Sequence, residues 1–386
     1  MSAISRRRFI QSAAALPLAT HGIGVLAEMA GSGELLLVGT QTSGTSKGIY
    51  AYRFDAVSAE LMQTGLAVES KAPTFLVLAP DGKTVFAVNE VEEYQGKKSG
   101  SVSSFALDCR TAKLEMVNTV ASLGGSPCHV AVDKSGRCVF VANYSGGSAA
   151  SYLVGAGGRL SEAASFFQYS GRGPDKERQE GAHAHRVTVS PDNRFVMVND
   201  LGLDVIHIYR LDAKTAKLTL NEPAVWKAAP ESGPRALQFH PNGRWAYCVT
   251  EMKSTVCVLH WNAQAGALKT VQEVPLLPEG YTGETGAADI VFDKAGRFAY
   301  VANRLDDFLA TFTVSATDGK LSLVERTSCG GKTPRHLVLD KTGRWLLVAN
   351  QDTDNLAVFA RDTRTGRLAK VGKSFPLSRP QCLVFV

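Results

Sequence analysis

One short sentence is written six times along this chain. Residues 78–90 (LAPDGKTVFAVNE), 132–144 (VDKSGRCVFVANY), 189–201 (VSPDNRFVMVNDL), 239–251 (FHPNGRWAYCVTE), 292–304 (FDKAGRFAYVANR) and 339–351 (LDKTGRWLLVANQ) each run an apolar strand into a polar turn and return as a second strand. The turn residue is Gly82, Gly136, Asn193, Gly243, Gly296 or Gly343, all types that tolerate positive φ. Successive turns are separated by 54, 57, 50, 53 and 47 residues. A period near 50 built from short strands predicts a β-propeller and excludes a helical solenoid.

Each copy unpacks into four strands. After the hairpin comes a third alternating strand (101–107, 204–210, 255–260, 355–359), then a turn such as Thr365-Gly366-Arg367-Leu368, then a fourth. Beyond the sixth copy only residues 380–386 (PQCLVFV) follow, a first strand with no hairpin partner. Residues 34–40, 47–54 and 61–68 carry the second, third and fourth strand patterns. One carboxy-terminal and three amino-terminal strands make a seventh blade, which closes the ring and removes an exposed sheet edge. The expectation is one all-β domain over residues 34–386, a seven-bladed β-propeller with four-stranded blades.

In such a blade the segment entering the first strand and the segment leaving the second open on the same face. The entering segments hold Cys128-His129, His183-Ala184-His185-Arg186, Arg235, Asp289, Arg335-His336 and Gln381; the leaving segments hold Asn89-Glu90, Asn143-Tyr144, Glu251, Asn303-Arg304 and Asn350-Gln351. The other face receives only turns. The two longest insertions, residues 169–181 and 275–286, fall on the polar face, where they are placed to wall a pocket. Arginines, histidines and carboxylates around one mouth point to an anionic, oxygen-rich small molecule, because a guanidinium grips carboxylate or phosphate through two parallel bonds. His129, His183, Asn143, Arg335 and Gln381 are the substrate-binding candidates, although each asparagine also reads as a strand-end cap. His183 and His185 with Glu251, or Glu90 with Asn143 and Asn303, have the chemistry of a metal set; an H-x-H alone is weak, and no metal or cofactor is assigned. No nucleophile elbow, phosphate loop or dinucleotide fingerprint is present.

Composition narrows the partners. The 42 Lys and Arg against 36 Asp and Glu leave +6, of which the three arginines and one glutamate in the first 30 residues account for two. That excess is spread along the chain with no basic stripe, which argues against nucleic acid. Arg6-Arg7-Arg8-Phe9-Ile10 followed by an Ala-rich apolar stretch reads as a twin-arginine export signal over residues 1–30, with Val25 and Ala27 as small residues before a cleavage site. The stretch is short of the roughly 20 apolar residues that span a bilayer. The mature chain is expected to be a soluble monomer, periplasmic or secreted, handed across by the twin-arginine machinery. Seven cysteines, an odd number without a C-x-x-C pair, outline no disulfide framework or zinc ribbon.

Taken in order, Gly39-Thr40, Ser46-Lys47-Gly48-Ile49-Tyr50, Asn89-Glu90, Pro127-Cys128-His129-Val130, Ala142-Asn143-Tyr144-Ser145-Gly146-Gly147, Gly181-Ala182-His183-Ala184-His185, Asp200-Leu201-Gly202-Leu203-Asp204, Gly233-Pro234-Arg235, Ala302-Asn303-Arg304 and Pro334-Arg335-His336 resemble the lactonase family of seven-bladed propellers. The family includes propeller-type 6-phosphogluconolactonases and the fungal carboxymuconate lactonizing enzyme. The resemblance implies a catalytic set of His185, Arg235, Glu251 and Arg304, with an anionic lactone as substrate and water activated by Glu251 or His185. The chain departs from the family pattern at Ala236, where histidine is usual, at Thr250-Glu251-Met252 and at Asp289. Two other activities remain open: a muconate-type cyclase using the same cations, and an exported propeller that binds without catalysing.

Overall fold

The computed structural model describes residues 33–284 and 286–386; the expected export signal lies outside these residues. Seven four-stranded antiparallel sheets make up the fold, with one short two-stranded hairpin, Glu93–Tyr94 with Lys97–Lys98, that the repeat pattern does not announce. Blades one to six start with the inner strands Leu76–Leu78, Pro127–Val132, Ala184–Val189, Pro234–Phe239, Ala287–Phe292 and Pro334–Leu339. The seventh is closed as expected: inner strand Pro380–Phe385 pairs with Glu34–Thr40, followed outward by Gly48–Asp55 and Glu60–Glu69. Among the described residues the only helical element is a 3-10 turn at Ala156–Gly158, and no helix is long and apolar enough to cross a membrane.

The sequence alternation explains the layering. Second strands such as Cys138–Asn143, Trp245–Thr250 and Phe298–Asn303 are buried at every position, because both faces of each are covered by the neighbouring blades. Outer strands such as Leu368–Pro376 are largely exposed. The apolar core is therefore divided among seven clusters, each between two adjacent blades, including those joining blade seven to blades one and six. Buried tyrosines cross these seams: the hydroxyls of Tyr152, Tyr247 and Tyr300 donate to the carbonyls of Ala121, Gly319 and Gly366. The six turn residues all have φ between 62° and 72°, as the hairpins require.

One local device positions the mouth. Where the inner strand begins, its register against the second strand shifts by one residue, between Pro127 and His129, Ala184 and Arg186, Pro234 and Ala236, Ala287 and Ile290, and Pro334 and His336. A bulge of this kind re-aims a side chain that strict alternation would send to the other face. In these blades two consecutive residues reach the central cavity: Cys128 and His129, His185 and Arg186, Arg235 and Ala236, Arg335 and His336.

Candidate active site

The cavity at the polar end is lined by those pairs together with Thr74, Phe75, Asp289 and Gln381. Beside it sits one carboxylate held by three guanidinium groups. Glu251, at the exit of the second strand of blade four, receives Arg178 on Oε1 at 2.5 Å and Arg304 on Oε2 at 2.7 Å. Nε of Arg235 lies 2.8 Å from Oε2 as an ion pair, but its N–H is not aimed along that line and forms no hydrogen bond. Nη1 of Arg235 instead donates to the Ala288 carbonyl, and Nε of Arg304 donates to the Gly286 carbonyl. Burial by itself would raise the Glu251 carboxyl; Arg304, Arg235 and the other cations outweigh it and hold the group far below the usual carboxylate range. The same crowding, burial first and Arg304 next, pushes Arg235 down to about 9. The group remains a guanidinium at neutral pH.

His185 lines this cavity and is half-buried. Burial, then Arg235, pushes it well below the ordinary histidine range, against the pull of Glu251, so the ring is neutral at pH 7. The Cys128 thiol donates to the His185 backbone carbonyl at 3.2 Å and is itself pushed up by burial, which keeps it an unreactive thiol.

A second layer forms the floor. Arg186 of blade three reaches Asp289 of blade five, 2.6 Å from its Oδ1, while His336 lies 3.6 Å from Oδ2. His129 and His336 each accept a backbone N–H on Nδ1, from Val187 and Leu383, which leaves the proton of each neutral ring on Nε2. Burial pushes both rings down. Phe75 packs against both, with ring centres 4.1 and 5.4 Å away.

Of the nine residues singled out from the sequence, His185, Arg235, Glu251, Arg304, His129, Arg335 and Gln381 gather in or against this cavity; Gln381 is fixed by a 2.9 Å bond to Gln351. Asn143 and His183 do not line it. Asn143 is fully buried and donates to the Ser122 carbonyl and the Ser148 hydroxyl, joining its blade to the preceding one, which is the strand-end role open to such asparagines. His183 stacks on Tyr144 at 4.6 Å, with Nδ1 3.2 Å from the Tyr144 carbonyl and Nε2 3.1 Å from Glu180, so it braces the insertion beside the mouth. Both candidate metal sets lose members in this way, and Glu251 is occupied by arginines. Arg178 and Arg186 join the site without having been candidates, and Asp289, noted in the sequence as a departure from the family pattern, stands with them. Arg178 lies in the 169–181 insertion, which is outside the repeat, whereas Arg186 and Asp289 occupy the second bulge position and were legible as one ring of sites.

A family model described as "Lactonase, 7-bladed beta-propeller" matches residues 35–385. The chain belongs to that family. It is 34% identical over 298 residues to a 6-phosphogluconolactonase of Bacillus subtilis, covering 77% of this chain and 82% of the relative. A 6-phosphogluconolactonase of Formosa agariphila is 31% identical, with 75% and 81% covered. Among solved structures, the periplasmic gluconolactonase of Pseudomonas aeruginosa superposes with a TM-score of 0.86 at 36% identity, over 92% of this chain and 99% of that one. The lactonase propeller expected from the repeats and motifs is the fold and family of this protein.

Proposed function

We propose that this propeller hydrolyses a sugar-type lactone, with His185 as the base that activates water. The observation that carries this reading is His185 lining a cavity with three arginines and one aspartate, where burial and Arg235 push the imidazole well below the ordinary histidine range. Glu251 is the poorer base: both of its oxygens face arginines, and its carboxyl is hard to protonate. Its role is to hold Arg235 and Arg304 at the wall. Water attacks the lactone carbonyl as its proton passes to His185, and the oxyanion forms against the guanidinium of Arg235. The ring C–O bond then breaks, and the leaving alkoxide takes the proton back from an imidazolium made acidic by burial and by Arg235. The product is the open hydroxy acid. General base catalysis contributes roughly 10²–10⁴-fold, and charge placed against the oxyanion a comparable factor.

The substrate class is supported by relatives named as 6-phosphogluconolactonase and gluconolactonase. Export through the Arg6-Arg7 signal is part of the same proposal, supported by the periplasmic neighbour; Arg6→Lys with Arg7→Lys should leave the protein in the cytoplasm. The activity is tested by following acid release from glucono-δ-lactone and its 6-phosphate in a pH-stat. The wild type should turn over at least one of them, and His185→Ala should lower kcat by roughly 10²-fold or more with little change in melting temperature. Saturable binding without turnover by the wild type would replace the hydrolase with a binding module.

A further inference from the structure

Three arginines line the cavity, and two of them are already engaged. Arg235 faces Glu251 and donates to the Ala288 carbonyl. Arg186 is bonded to Asp289. Arg335, on the first bulge position of blade six, makes no hydrogen bond or ion pair among the described residues, although its side chain is only partly exposed. The carboxylate that feels it, Asp352, is taken by Arg379 at 3.5 Å, by the Thr333 hydroxyl at 2.5 Å and by the Gln351 amide at 2.9 Å. Arg335 therefore adds positive charge to the cavity wall: it depresses His185, Arg235 and Arg304 together. With no partner among the described residues, the Arg335 guanidinium has its donors free for an arriving anion.

Two uses of such a group differ in what they require of the substrate. An oxyanion partner acts on every lactone alike, because the developing charge belongs to the reacting carbonyl. A reader of charge acts only on substrates that carry a second, permanent anion outside the ring. The wall already supplies Arg235 next to His185 for the first use. We propose that Arg335 is a specificity residue that binds a phosphate or carboxylate carried by the lactone away from its reacting carbonyl; this rests on the lactonase reading above. The planar fork offers two parallel donors to such a group, an arrangement that lysine does not reproduce.

Three lactones separate the possibilities: glucono-δ-lactone, which is neutral, its 6-phosphate, and a glucarolactone bearing a free carboxylate. In Arg335→Gln the ratio of kcat/KM for a charged lactone over the neutral one should fall roughly tenfold to hundredfold, mostly through KM, as expected for loss of charged hydrogen bonds. Arg335→Lys should recover part of that ratio. A larger fall with the phosphate or with the carboxylate identifies which anion is read. An equal loss on all three lactones, or no change in the ratio, overturns the proposal. Calorimetric binding of inorganic phosphate to the full chain gives a readout free of turnover. If the wild type hydrolyses no lactone, the lactonase reading fails; phosphate binding that disappears in Arg335→Gln then still supports an anion site at Arg335, and equal binding by both proteins removes it.

Discussion

The two ends of the ring are made by the same repeat and use their polar groups in opposite ways. At the turn end the hairpins repeat one local bond. Asp133 accepts the N–H of Cys138, Asp293 that of Phe298 and Asp340 that of Trp345, while the Ser190 hydroxyl accepts that of Phe195; the partner is five residues away each time. At the mouth Glu251 gathers arginines from residues 178, 235 and 304, and Arg186 crosses to Asp289, so no blade is complete by itself. Where copies agree, the residues hold a hairpin. Where copies disagree at the same position, the ring is assembling a site from seven different contributions.

This contrast is broken or sharpened most strongly at Glu251. Replacing it with Gln removes the one carboxylate shared by three guanidinium groups, and breaking a buried charge cluster from one side costs about 3–5 kcal/mol. Glu251→Gln should lower kcat/KM by more than tenfold and also lower the melting temperature, measured by kinetics and calorimetry on the same preparation. Full activity would show that the arginines hold their places without it.

Acid should act on the mouth through the same group. Its folded carboxyl lies far below the ordinary value of 4.5, so the stability it contributes is complete above that pH and is lost progressively as pH falls towards the folded value. Between neutral pH and pH 3 the wild type should therefore lose more stability than Glu251→Gln does, as read by denaturant titration at each pH. Parallel curves would remove Glu251 as the source.

A smaller effect is expected on the floor. Ala236 lines the cavity with Arg186 and Asp289, and Ala236→Leu should crowd the pair, lowering turnover severalfold while the fold survives. The turn end supplies the control. Asp133 accepts three N–H groups, a hydroxyl and the Asn193 amide. Asp133→Ala should cost about 1–3 kcal/mol of stability and leave KM untouched. A kinetic defect there would mean that the two ends communicate.

The same contrast explains what could be read in advance. The blade count, the closing strand and the face of the site follow from six copies of one pattern, because strand period and turn chemistry are local. His185, Arg235, Glu251 and Arg304 stand at strand ends on that face, and it is the family resemblance that picks them out among its polar residues. Which arginine meets which carboxylate was not legible: Arg186 and Asp289 are 103 residues apart and meet only through the curvature of the ring. Arg178 lay in an insertion with no copy to compare it with. Asn143 was assigned to the cavity since the mouth is where its position points, whereas its amide turns back to Ser122 of the neighbouring blade. The bulges were hidden as well, because alternation alone would have sent one residue of each pair into the core.

The closing strand sets an order on how this molecule comes into being. Leu36 pairs with Phe385 and Val38 with Leu383, partners nearly the whole domain apart in sequence. Blades one to six can each form from nearby residues as the chain lengthens, but the strand Glu34–Thr40 waits with one edge unpaired until residues 380–385 arrive. Loop-closure entropy grows only slowly with length, so the long wait adds little to the equilibrium cost. Its burden is kinetic: throughout that interval a bare, apolar strand edge is available to another chain, which makes aggregation the main competitor of the final closure.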